Sequence, residues 1–328
     1  MRAWLKWALG VAAGGAVIGI AATARGAPPA SAAPALAEPP AAPRPLPAWT
    51  PLDPPPAGQL RVLTLNLWGP YEPLARRLEL VAFGLSIWHP DVVCLQEVAA
   101  VPGSLGNTAD VLARRAGFAD VFCPATTFPT LVEGVAILTR DPVLASESAE
   151  LPGATPAERR VVLLARCRTP AGPVNVYTTH LNHRAEDGAT RAAQVRAVDE
   201  FVAGHRSALP QVLAGDFNAA PTAPEIRFLR GELLLEGRRT YWEDAFAELH
   251  PEAPGWTWAG RNPLTARSPG HAPDRRIDYV FAAVEQWSGQ GLVRACRLVF
   301  DEPDADGVFA SDHFGVLADV QLVGAGLV

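Results

Sequence analysis

The stretch RVLTLNLWGPYEPLARRLELVAFGLSIWHPDVVCLQE, residues 61–97, carries the reading of the whole chain. Arg61 to Leu67 alternates in polarity with enough β-branching for a strand. Leu74 to Trp88 spaces its apolar residues as a helix does, and Asp91 to Gln96 is a short apolar strand. Together they make a βαβ unit. The same order recurs as Val174 to Thr179 (strand), Arg191 to Phe201 (helix) and Gln211 to Ala214 (strand). Between the copies lie strands at Gly134 to Thr139 and Arg160 to Arg168, and after them come Ile277 to Ala282, Leu292 to Phe300 and Phe314 to Val320. Two related halves, each ending in sheet, predict two packed sheets covered by helices.

The chain of 328 residues is 49% hydrophobic and 19% charged, which excludes disorder, collagen-like sequence and a small disulfide scaffold. A net charge of −6, with Lys6 the only lysine, argues against affinity drawn mainly from a basic patch on nucleic acid, though not against a nuclease. Residues 1–24 have the form of a signal peptide or signal anchor: Arg2 and Lys6, an uncharged run from Trp7 to Ala24, and small residues at Ala22-Thr23-Ala24 suited to cleavage. Cleaved or anchored, the remainder is expected outside the cytoplasm. Residues 25–58 are rich in Pro and Ala and read as an extended linker, leaving one domain over 59–323. The four cysteines, Cys94, Cys123, Cys167 and Cys296, are widely spaced in apolar runs. They are expected as buried thiols, with oxidation of one pair the alternative for an exported protein.

Polar residues close the strands of the doubled unit. Asn66 ends the first in TLNLWG, Glu97 the second in VVCLQEV, His180 the third in THLNH, and Asp216 with Asn218 the fourth in GDFN. Ends of adjacent strands lie close together, so these groups are expected at one rim, joined by Asp278 in RIDYVF and by Asp312 and His313 in SDHFGVLADV. Carboxylates and amide oxygens without thiolates suit a hard cation such as Mg²⁺ or Mn²⁺ rather than zinc. Such a cation with two histidines and amide donors suits a phosphoester, whose transition state spreads negative charge over oxygens. No serine lies in a nucleophile-elbow pattern, so acyl transfer fits poorly.

With TLNLWG, LQE, GVAILTR, THLNH, GDFN, RIDYVF and SDHFGVLADV in that order, residues 60–320 resemble the endonuclease/exonuclease/phosphatase superfamily of metal-dependent phosphoester hydrolases. The resemblance implies a four-layer α/β sandwich of two packed mixed β-sheets flanked by helices. It implies Glu97 as the main ligand of Mg²⁺, with Mn²⁺ a substitute, Asn66 close to the metal and phosphate, and Asp312 beside the metal. His180 is then expected to contact phosphate, Asp216 and Asn218 to position the attacking water and phosphoryl oxygens, and Asp278 to orient His313. Whether Asp216 or His313 takes the proton from water is left open. Asp278 and His313 are expected at an exposed rim, where truncation costs about 1 kcal/mol or less. His183 reads as a second phosphate contact or a rim histidine, and Trp256 and Trp258 as pocket walls or core.

TLNLWG and RIDYVF look more like the neutral-sphingomyelinase branch than the abasic-site nucleases, although the apolar hairpin of secreted bacterial sphingomyelinases is not recognisable. The expected substrate is therefore a phosphodiester, lipid-type or small, with nucleic acid the alternative and an inositol-phosphate-type monoester third. The protein is expected as a monomer that contacts membrane, if at all, through its N-terminal segment. A reporter active only after export, fused at Gly58, should be active, whereas removal of residues 2–24 should leave the protein in the cytoplasm. Full-length protein found in the cytoplasmic fraction would overturn this localisation.

Overall fold

The computed structural model describes residues 45–324, apart from 101–105, 156–157, 206, 268–273, 285 and 287. The segments 1–24 and most of 25–58 thus lie outside the described residues. Among the described residues no helix is long and apolar enough to cross a membrane. From the N-terminal side the elements are β1 (Gln59–Asn66), α1 (Leu74–Trp88), β2 (Val92–Ala100), α2 (Thr108–Ala116), β3 (Ala119–Phe128), β4 (Leu131–Thr139), β5 (Val143–Glu150), β6 (Val161–Cys167) and β7 (Val174–His180). There follow α3 (Gly188–Gly204), β8 (Val212–Asp216), α4 (Pro224–Leu229), β9 (Trp242–Asp244), α5 (Ala245–Leu249), β10 (Asp278–Ala283), β11 (Val293–Val299) and β12 (Gly315–Gln321).

The strands form two six-stranded sheets, β11-β12-β1-β2-β4-β3 and β5-β6-β7-β8-β10-β9. Each contains one parallel pair, β1 with β2 and β7 with β8, and these are the strands of the two βαβ units read from the sequence. The side-chain period of two divides every central strand between two cores. Leu60 and Val62 of β1 and Val92 and Cys94 of β2 meet Val174, Val176, Val212 and Ala214 of the other sheet. The alternate residues Leu63, Leu65, Val93 and Leu95 face α1, which buries Leu78, Val81, Leu85 and Trp88 at helical spacing. Tyr177, Leu213, Tyr279 and Phe281 likewise face Val195, Val198 and Val202 of α3 and Ile226 of α4. The result is the expected four-layer sandwich. Gly215 is needed where β8 meets β7: a Cβ there would stand 2.1 Å from the Thr179 carbonyl oxygen, and its φ is +153°.

Three local features differ from the sequence reading. The Pro/Ala segment stops behaving as a linker at Leu46, where the compact unit begins. Trp49 packs on Phe83, Trp88 and Phe300, and a backbone bond from Leu52 N–H to the Ile87 carbonyl and a side-chain bond from Trp88 Nε1 to the Thr50 carbonyl pin the segment to α1. One tryptophan with one leucine suffices to dock an otherwise Pro-rich stretch. Glu97 does not end β2, which continues to Ala100 through a register break between Leu95 and Val98. The elements β3, β5, β9, α4 and α5 are short or polar and lack the apolar pattern that exposes α1 and β1 in the sequence, and α2, though amphipathic, spans only nine residues; β5 is a largely exposed edge strand, VLASESAE. All four cysteines are buried and unpaired. Cys167 has arginine on both sides in sequence, yet burial pushes its thiol up to about 12.

Candidate active site

The stripes that build the inter-sheet core change character along their length. Leu60-Val62-Thr64-Asn66, Val92-Cys94-Gln96, Val174-Val176-Thr178-His180, Val212-Ala214-Asp216 and Ala282-Val280-Asp278 each run from apolar to polar at the same end of the sandwich. His180 is in register with Asp216, and Asp216 with Asp278, so strand pairing alone sets imidazole, carboxylate and carboxylate side by side. At the polar step, Gln96 donates to Thr64 Oγ1 (3.1 Å) in its own sheet and to Thr178 Oγ1 (3.0 Å) in the other. The bulge in β2 supplies Glu97. Leu95 and Val98 both face the helices, so Gln96 and Glu97 both turn inward, with Glu97 at φ +51°. That left-handed backbone costs about 1 kcal/mol or more in a non-glycine residue and occurs where function demands it.

Asn66 is the hub. Its Nδ2 donates to Glu97 Oε1 (3.2 Å) and Asp216 Oδ2 (3.1 Å), while its Oδ1 accepts the Trp68 N–H (2.9 Å). The amide therefore holds two carboxylates together rather than offering its oxygen as a ligand. Asp216 Oδ1 accepts the Asn218 N–H (2.8 Å), and Asn218, also at positive φ, donates its side-chain amide to the Leu181 carbonyl (3.1 Å). Asp216 Oδ2 lies 3.4 Å from His180 Nε2 and 3.9 Å from His313 Nε2. His313 Nδ1 and Asp278 Oδ2 are 2.9 Å apart, the hydrogen-bonded pair expected from the sequence.

These groups are not at an exposed rim, contrary to expectation: His313 is 6% exposed, Asp312 5%, Asp216 1% and Asp278 0%. Strand pairing sets Asp278 beside Asp216, and His313, in the segment before β12, lies against both. Burial therefore sets their protonation. It pushes Asp216 up to about 7, with Asp278 adding to the rise, and Asp312 up to about 6, with Glu97 adding to the rise. Burial also drives His180 well below the usual histidine value, helped by the Arg160 charge, so His180 is a neutral imidazole. His313 resists its own burial: Asp278 and Asp312 outweigh it and hold the ring protonated, well above the usual value. Of two histidines in one site, one is thus neutral and the other protonated.

The sequence-predicted residues Asn66, Glu97, His180, Asp216, Asn218, Asp278, Asp312 and His313 are all placed at this end of the sandwich. His183 is a rim histidine, with Nδ1 3.3 Å from Glu158 Oε1 and close to Arg160. Trp258 is buried and Trp256 exposed. Sequence reasoning missed the residues that hold the site from behind. Thr257 Oγ1 accepts the Asp278 N–H (3.1 Å) while its carbonyl accepts the Phe314 N–H (2.6 Å), tying both halves of the dyad to one residue. Ser311 Oγ donates to the Asn66 carbonyl (2.6 Å) and accepts the His313 N–H (3.2 Å). Arg77, fully buried in α1, donates to the carbonyls of Leu67, Gly69 and Tyr71 and fixes the loop after Asn66. Ser311 stood inside a quoted motif; Thr257 and Arg77 carry no local signal.

The donor set fits a hard cation. Glu97, Asp312 and Asp216 offer carboxylate oxygens, and the raised values of Asp216 and Asp312 mark an excess of buried negative charge that a divalent cation would relieve. Asp216, Asp278 and His313 also offer ligand atoms within 4.8 Å of one another. The short Asp278–His313 contact is satisfied as a hydrogen bond, which leaves the Glu97 and Asp312 flank as the better place for the ion.

A protein-family model described as Endonuclease/Exonuclease/phosphatase family matches residues 63–313. Among solved structures, an endonuclease/exonuclease/phosphatase from Beutenbergia cavernae is 25% identical, with a TM-score of 0.61 over 82% of this chain and 73% of that one. D. rerio TDP2 complexed with a single-strand DNA product is similar at 21% identity and a TM-score of 0.62, over 80% of this chain and 98% of that one. An endonuclease/exonuclease/phosphatase family protein from Leptotrichia buccalis shares the fold at 17% identity and a TM-score of 0.61, over 80% of this chain and 100% of that one. No curated protein matches the chain. The strand-end constellation, the two-sheet sandwich and the match over residues 63–313 agree: this chain belongs to the endonuclease/exonuclease/phosphatase family of phosphoester hydrolases.

Proposed function

We propose that the protein is an extracytoplasmic, divalent-metal-dependent phosphodiesterase that hydrolyses a small or lipid-type phosphodiester by attack of water. The observation that carries the reading is the Asn66 amide, which holds Glu97 and Asp216 on either side of one point while a protonated His313 stands 3.9 Å from Asp216. A carboxylate with a pKa near neutrality beside a fixed imidazolium is a base–electrophile pair suited to phosphoester hydrolysis. His313 is already protonated at neutral pH and cannot accept a proton, so Asp216 takes the proton from water. His313 then stabilises negative charge on phosphoryl oxygen, kept charged and oriented by Asp278. Neutral His180 and Asn218 supply N–H donors to the same oxygens, and Glu97 and Asp312 would hold Mg²⁺ or Mn²⁺. The cation supplies Lewis-acid stabilisation of charge when bound.

The domain's lack of lysine and the net charge of −6 support a small or lipid-type diester over a nucleic acid held by a basic surface, and the sequence features of residues 1–24 support export. Nucleic acid is the second reading, favoured by the likeness to a TDP2 structure holding a DNA product.

A panel of sphingomyelin and lysophospholipid vesicles, bis(p-nitrophenyl) phosphate, single-stranded and plasmid DNA and inositol phosphates separates the classes. Hydrolysis of DNA alone would overturn the lead reading. Activity should vanish in EDTA and return with Mg²⁺ or Mn²⁺, and Glu97→Gln should depress turnover on the order of a hundredfold. Full activity under either condition contradicts the metal assignment.

Protonation sets a second expectation. Below pH about 6 to 7, Asp312 and Asp216 hold protons that a cation must displace; above it they do not. The rise in Tm on adding Mg²⁺ should therefore be larger at pH 8 than at pH 5. Without the cation, stability should fall as pH climbs from the ordinary aspartate range toward 7. An Mg²⁺ effect that shrinks with pH refutes this charge balance.

His313→Ala and Asp278→Asn should each lower kcat roughly a hundredfold or more, with the double variant little worse than the weaker single. Because both residues are buried, each substitution should also cost about 1–3 kcal/mol of stability, measured by denaturant unfolding. Independent, multiplying losses of kcat would reduce the pair to a structural contact.

A further inference from the structure

Most buried arginines of this fold hold a carboxylate: Arg61 with Asp319, Arg76 with Asp304, Arg191 with Glu225, and Arg276 with Asp244. Arg275, the half-buried neighbour of Arg276, does not. Among the described residues its Nε is buried without a hydrogen-bond partner, and no carboxylate forms an ion pair with its guanidinium. The side chain is nevertheless positioned. Its guanidinium lies 4.8 Å from the Trp258 ring centroid, and its backbone pairs with Trp258 in both directions (N–H to O, 2.9 Å, and O from N–H, 3.0 Å). The same carbonyl accepts the N–H of Thr257, the residue that anchors Asp278 and Phe314. Arg275 is therefore fixed to the framework that holds the catalytic dyad.

Charge adds direction. Burial pulls the Arg275 guanidinium below the usual arginine value, and the attraction of Asp216 and Asp278 restores it only in part. Asp216 is bonded to Asn66 and Asn218, and Asp278 gives Oδ2 to His313; the other oxygen of Asp278, Oδ1, is buried without a partner, and no ion pair joins it to Arg275. A half-buried cation near two site carboxylates, stacked on an aromatic face and with N–H donors to spare, lacks one anion.

We propose that Arg275 is a substrate-binding residue that donates from its guanidinium to an anionic phosphoryl oxygen at the site holding Asp216 and Asp278. The inference rests on the phosphoesterase reading above and adds to it a residue that no family motif in this sequence carries. Arg275 makes and breaks no covalent bond and moves no proton; its fork fixes the phosphoryl group before attack and shares its charge afterwards. Trp258 holds the guanidinium plane, so lysine at 275 keeps the charge but loses both the stack and the second N–H.

The test uses the full chain with Mg²⁺, comparing wild type, Arg275→Met, Arg275→Lys and, as a control for net charge, Arg166→Met on the exposed side of β6. Calorimetry reads the affinity for inorganic phosphate, and kcat/KM is read on bis(p-nitrophenyl) phosphate. Arg275→Met should weaken phosphate binding roughly tenfold or more and lower kcat/KM by roughly tenfold to a hundredfold. Arg275→Lys should fall between, and Arg166→Met should match wild type. Circular dichroism verifies folding, and if Arg275→Met does not fold, Arg275→Lys still reads the lost fork. Phosphate affinity and kcat/KM unchanged in the Arg275 variants, or reduced equally in Arg166→Met, overturn the proposal. If wild type hydrolyses no phosphoester while Arg275→Met still loses phosphate, the phosphoesterase reading fails and Arg275 stands as an anion-binding residue.

Discussion

The side-chain period of two in paired strands is the constraint on which the rest of this molecule depends. Each central strand offers one stripe to the helices and one to the opposite sheet, and in five strands the second stripe ends in a polar residue at the same end of the sandwich. A one-residue slip in any of them would turn a site residue into the helix-facing core. The register is protected by the apolar residues behind it. It is also protected by Gln96, whose amide spans the gap from Thr64 in one sheet to Thr178 in the other, where the interior changes from apolar to polar. Glu97 escapes the period only because β2 bulges.

Crowding carboxylates into a buried site carries a penalty, and the neighbours show how it is met. Asn66 donates to two carboxylates at once, the Asn218 backbone donates to Asp216, and His313 stays protonated to neutralise part of the charge. What is left over appears as raised carboxyl values at Asp216 and Asp312, an imbalance that a hard cation would relieve. The proposed protonation states and the proposed metal site thus trace to one electrostatic imbalance. His180 is held neutral by burial and by Arg160, so it adds no charge to the site.

The framework behind the site spends arginines and small hydroxyls rather than more acids. Arg77 collects the carbonyls of the loop after Asn66, Ser311 ties that strand end to His313, and Thr257 ties Asp278 to the segment leading into β12. Arg275 grows from the same framework, but among the described residues no ion pair joins its guanidinium to a carboxylate.

Residues 61–97 and their echo at 174–216 announced the βαβ units because long apolar periodicity survives in any context. The site residues announced themselves because each sits at a strand end within a short recognisable motif. The weakly periodic elements did not, since β5 is an exposed edge and α4 and α5 are only six and five residues long. Nor did the docking of Trp49 onto α1, because the partners Phe83, Trp88 and Phe300 lie far along the chain. The sequence determined which residue types meet at the rim, since period and order are local properties. Only the tertiary structure decided that Asp278 and His313 are buried, that Glu97 turns inward through a bulge, that one histidine is neutral while the other is protonated and that Arg275 pairs with no carboxylate among the described residues, because burial and charge neighbourhood are set by residues distant in sequence.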